Sequence, residues 1–182
     1  MKLRGLTFAL AASLLFLFAC SSEAPPAETP KEAAPAADAA PSVDLLSGTW
    51  VLNISKSTYS PKDLAPKSGT SVFAPGPDGT KLRADGVNAK GQKTLSEYTT
   101  KFDGADGPNN STVDGKPSPD SDINAWRKID DHNYENVSKL KGQVMTTTKV
   151  VISEDGKTRT NTVTGKNAAG QTINNTAVYD KQ

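Results

Sequence analysis

Lys141-Gly142-Gln143-Val144-Met145-Thr146-Thr147-Thr148-Lys149-Val150-Val151-Ile152-Ser153-Glu154-Asp155-Gly156 decides the fold class of this 182-residue chain. Lys141-Gly142 and Asp155-Gly156 are turn pairs, because glycine takes positive φ without a steric penalty and aspartate bonds to its local backbone. Between them lies a segment of strand length, 143–153, built of Thr and Val. β-branching stiffens χ1 and suits a pleated surface. Val144, Val150 and Ile152 fall on one face at period 2, with Thr146 and Thr148 between them. The segment predicts a β-strand with one buried face.

The same punctuation runs outward in both directions. Further turn pairs stand at Asp78-Gly79, Asp85-Gly86, Asp103-Gly104, Asp106-Gly107 and Asp114-Gly115. They separate Thr/Val/Tyr-rich runs that predict strands over 48–54, 69–74, 79–85, 92–102, 123–129, 133–140, 143–153, 157–164 and 171–179. Trp50, Leu52 and Ile54 share a face of the first; Ile173, Ala177 and Tyr179 share a face of the last. No stretch has helical periodicity. Gly86-Val87-Asn88-Ala89-Lys90-Gly91-Gln92 matches Gly165-Lys166-Asn167-Ala168-Ala169-Gly170-Gln171. Both read as hairpin closures around a left-handed glycine, with a pair of ligand-binding loops as the other reading. Two segments, 59–68 and 103–122, read as long loops, since prolines 61, 66, 108, 117 and 119 block ladder pairing. Val, Ile, Leu and Phe make up only about 17% of residues 45–182. Such a value borders on disorder when net charge is high. Here the charge is balanced and Thr fills the deficit, which favours a folded β domain with a lightly apolar interior.

Met1–Cys20 carries a different signal. Lys2 and Arg4 precede an apolar run, Leu6–Phe18, too short for a bilayer span and suited to a secretory signal. Leu17-Phe18-Ala19-Cys20 resembles the cleavage site of bacterial lipoproteins, although Phe18 is bulkier than that family's usual residue. The resemblance implies cleavage after Ala19, a thioether lipid on Cys20 and acylation of its amine. Ser21 after the cysteine implies the outer membrane facing the periplasm. Residues 20–44 are Pro/Ala-rich with almost no large apolar side chain, so they form a disordered linker. The expected organisation is a signal peptide over 1–19, a lipidated linker over 20–44 and one β domain over 45–182.

Composition excludes several classes of function. Loss of Lys2 and Arg4 with the signal leaves one more acid than base, so no basic surface recommends nucleic acid as partner. Cys20 is the only cysteine and His132 the only histidine, which leaves no disulfide and no Cys/His zinc cluster. No Gly-x-Ser-x-Gly elbow occurs. Asp130-Asp131-His132-Asn133 offers a base oriented by acids, but reads first as a turn. Asp103, Asp106, Asp114, Asp120 and Asp122 could offer calcium oxygens, yet lack the ligand spacing and closing Glu of an EF-hand. No catalytic site, metal or cofactor is expected.

Gly48-Thr49-Trp50 resembles the Gly-x-Trp that opens the first strand of lipocalins and related calycin barrels. The resemblance implies an up-and-down antiparallel meander closing into a small barrel, or a strongly curved sheet. It also implies a tryptophan at one barrel end beneath a basic side chain near the last strand, here Lys181. Gly48–Asn53 with Lys56–Pro61 is also similar to secreted bacterial proteins of unassigned function. The expected function is non-catalytic binding of a small amphiphilic ligand, with Trp50, Trp126, Tyr98 and Tyr134 as ligand-facing residues. The alternative is an envelope protein-interaction, inhibitor or assembly-accessory role through loops 59–68 and 103–122.

Overall fold

The structure, a computed structural model, describes residues 44–182. The expected signal peptide, Cys20 and the linker up to its last residue lie outside the described residues. The rest is one antiparallel sheet of twelve strands. In chain order these are β1 (Gly48–Thr58), β2 (Ser68–Gly76), β3 (Gly79–Val87), β4 (Lys93–Thr100), β5 (Asp103–Pro108) and β6 (Asn110–Val113). There follow β7 (Lys116–Pro117), β8 (Ile123–Lys128), β9 (Asn133–Leu140), β10 (Gln143–Ile152), β11 (Thr158–Lys166) and β12 (Thr172–Lys181). Their order in the sheet is β5-β8-β9-β10-β11-β12-β1-β2-β3-β4-β6-β7. Apart from a single 3-10 turn, Lys62–Leu64, no helix is present among the described residues.

The sheet curls into a half-barrel. Trp126 on β8 and Tyr98 on β4 stand near opposite ends of the strand order. Even so, the Trp126 indole N–H donates to the Tyr98 hydroxyl at 2.7 Å. Twist accumulates with one hand across a sheet and brings such ends together. The curled open sheet is therefore the form adopted, with β5 and β7 as its edges.

All nine expected strands are present, and the turn chemistry accounts for their ends. Lys141 and Gly142 have φ of 51° and 79°, as do Asp114 (51°) and Gly115 (76°), so both pairs close two-residue hairpins with positive φ at each position. Asp85-Gly86 and Asp106-Gly107 are not turns; they lie inside β3 and β5. At Gly86 a Cβ would stand 2.4 Å from the Ser68 carbonyl oxygen, so this glycine permits close strand approach.

Three further expectations need correction. Segment 103–122 is not a loop throughout, since β5, β6 and β7 form within it. Pro108 ends edge strand β5 and Pro117 lies in edge strand β7, where a missing N–H costs no central ladder bond. Ile54 was expected inward with Trp50 and Leu52 but is exposed, because a bulge between Asn53 and Thr58 breaks the alternation. Val144 is likewise exposed, because the register shifts between Val144 and Thr146, while Val150 and Ile152 stay buried.

The core lies inside the curl. Leu46, Trp50, Phe73, Leu82, Trp126, Tyr134, Val150 and Ile152 form one buried cluster, with Leu45, Tyr98, Phe102 and Tyr179 packed against it. Its aromatics meet edge to face. Phe102 lies 6.0 Å from Trp126 and 5.3 Å from Tyr134, and Phe73 lies 5.8 Å from Trp126. Such pairs add specificity beyond the area they bury.

Candidate functional site

Hydroxyl and amide side chains dominate the inner face beside this cluster, and a cavity of about 480 Å³ opens against it. Its floor is aromatic and aliphatic: Phe73, Leu82, Tyr98, Trp126 and Tyr179. Its walls carry serines, threonines and asparagines, among them Ser71, Asn124, Asn136 and Asn161. Segment 103–122 completes the wall. Asn109 donates to Ser121 at 2.7 Å, Ser111 pairs with Ser96 at 2.5 Å, and the Asp120 carboxylate accepts from the Ala168 N–H at 3.2 Å. The last bond ties the wall to one of the two matching hairpins.

Those hairpins close identically. The Asn88 carbonyl oxygen of the side chain accepts from the Gln92 N–H at 3.0 Å, and Asn167 does the same for Gln171 at 2.9 Å. Gly91 and Gly170 take φ of 85° and 80°. Both motifs thus have a turn-forming role, and Asn88 also lines the cavity.

Arg159 on β11 is the unusual group. It is 2% exposed and lies in the cavity floor. Its guanidinium carbon stands 4.2 Å from the Tyr179 ring centroid and 5.2 Å from those of Trp50 and Phe73. One Nη donates to the Ser71 hydroxyl at 2.7 Å, and Nε has no partner. No carboxylate pairs with it among the described residues. Desolvation lowers its pKa to about 10, so it remains a cation at neutral pH. The Asn161 side-chain oxygen, two residues along the same strand and also lining the cavity, is buried without a partner too.

Of the four expected ligand-facing residues, Trp126 and Tyr98 line the cavity together. Burial pushes the Tyr98 phenol well above its ordinary range, so it stays protonated and accepts the Trp126 bond. Trp50 is fully buried, does not line the cavity, and lies beneath the Arg159 guanidinium that does. Its indole donates to the Leu46 carbonyl at 2.8 Å. Lys181 stands 5.0 Å from the Trp50 ring and donates to the Leu45 carbonyl at 2.9 Å, the cation-over-tryptophan arrangement expected at this end. Tyr134 is buried against Phe102, away from the cavity lining.

The remaining candidates have local partners. His132 Nδ1 lies 3.0 Å from the Ile152 carbonyl. Asp130 accepts from the Asn133 side chain and from the His132 and Asn133 N–H groups, which lowers its pKa and makes this a capped turn. The acidic side chains of 103–122 are dispersed: Asp106 pairs with Lys139, Asp114 accepts from the Lys93 N–H, and Asp122 from the Lys141 N–H. No group of three potential metal ligands occurs among the described residues.

Sequence reasoning passed over Arg159, although a signal for it existed. The hairpin at 167–171 pairs Arg159 with Tyr179, and Tyr179 belongs to the inward face already assigned to the last strand. The register alone therefore turns Arg159 inward. No protein-family model matches this chain, and no curated protein sequence matches it significantly.

Proposed function

We propose that this protein is a non-catalytic binding module that takes a small amphiphilic molecule into the cavity of its half-barrel. The observation that carries the reading is the cavity itself: about 480 Å³ with an aromatic floor and hydroxyl- and amide-bearing walls. Small-molecule sites typically have about 300–1,000 Å³; here the polar lining outweighs the aromatic part, which suits a ligand with both polar and apolar ends. Lipidation of Cys20 would hold the module at the cell envelope, on the linker of residues 20–44. Segment 103–122, one of the two loops of the partner-docking alternative, contributes to the cavity wall, which favours ligand binding.

Trp126 lines the cavity whereas Trp50 does not, so ligand entry should change Trp126 emission. Titration with 1-anilinonaphthalene-8-sulfonate should give saturable energy transfer that falls in Trp126→Phe. Absence of saturable binding to the folded chain would reject the reading. Membrane retention is tested separately by Cys20→Ser, which should release the protein or leave an unprocessed precursor; unchanged processing and retention would reject the anchor.

A further inference from the structure

A buried guanidinium without a counter-charge is costly, because desolvation disfavours the ion and no carboxylate compensates it. Three aromatic faces offset part of that cost for Arg159, and a side-chain hydrogen bond with Tyr179 favours the cation, but none of these supplies a negative charge. Ser71 supplies one acceptor, Nε stays unpaired, and neighbouring Asn161 leaves an unpaired oxygen on the same wall. A core position with no function would be cheaper with an apolar residue of the same length. Arg159 and Asn161 both line the cavity, so a molecule held there lies against them.

We propose that Arg159 is the recognition site for the charged end of an organic carboxylate, which supplies the missing negative charge and the missing acceptor. The inference rests on the cavity-binding reading and names its ligand class. One unpaired positive charge calls for a monoanion, and the guanidinium presents donors matched to two carboxylate oxygens. The Asn161 oxygen accepts from a hydroxyl or N–H close to that end. The aromatic floor and the mixed walls take the rest of the molecule.

The test is a tryptophan-emission titration of the full chain with decanoate and with decanol, at neutral pH and below micelle formation. Decanoate should bind at least about tenfold more tightly than decanol, the lower end for hydrogen bonds to a charged group. Arg159→Met should lose that preference through weaker decanoate binding, with decanol binding little changed. Arg159→Lys, which retains the charge, should keep part of it and serves if the Met variant does not fold. Equal binding of both probes by the wild type overturns the inference and leaves the cavity reading standing, as does a preference that survives in Arg159→Met. Failure of both probes to bind overturns both readings.

Discussion

Two cations flank Trp50 at nearly equal distance, and they end in opposite circumstances. Lys181 lies 5.0 Å from the ring and finds the Leu45 carbonyl. Arg159 lies 5.2 Å from it, is more deeply buried, and keeps an unpaired Nε at the cavity floor. The Lys181 side, with Leu46 packed on Trp50, is a finished seal. The Arg159 side borders the cavity and has unmet hydrogen-bonding capacity. One tryptophan thus separates the region that stabilises the fold from the region available to a ligand.

Trp50→Ala strikes both regions and carries the largest expected effect. It removes a fully buried side chain at the centre of the core and should cost about 3–5 kcal/mol in urea unfolding. A loss below about 1 kcal/mol would mean that Trp50 does not join the two regions. Tyr98→Phe tests the cavity side. The Trp126 indole N–H loses its acceptor, which should cost about 1–3 kcal/mol and alter Trp126 emission. Lys181→Met tests the seal and should cost about 1 kcal/mol while decanoate affinity stays unchanged. If that affinity falls with Lys181, the division between the regions is wrong.

A smaller effect concerns pH. Burial pushes the Tyr134 phenol up to about 12. Its stabilisation is complete below the unfolded value near 10 and is lost as pH rises from about 10 to about 12. Arg159 acts oppositely over the same range, since its folded pKa is the lowered one. Tyr134→Phe should therefore shallow the alkaline decline in urea midpoint, and an unaltered slope would contradict the assignment.

Much of this division was legible in the residues. Period-2 alternation and Asx-Gly turns located the nine main strands, and Gly48-Thr49-Trp50 with Lys181 anticipated the seal. What escaped were features that depend on neighbouring strands. Two separate register irregularities send Ile54 and Val144 outward, and edge position lets Pro108 and Pro117 sit in strands. Tyr134 and Trp126 are both aromatics on adjacent strands, but only the curl decides which one meets the cavity. Arg159 resembles a solvent-facing charge until its register with Tyr179 is drawn.

The most direct test of the account is amide and indole chemical-shift mapping of the isotope-labelled full chain during titration with decanoate. Saturating shifts should centre on Ser71, Tyr98, Trp126, Arg159 and Asn161, with the surroundings of Lys181 little affected. Shifts confined to the exposed outer residues Val51, Ile54, Val144 and Val151, or no shifts at all, would contradict it.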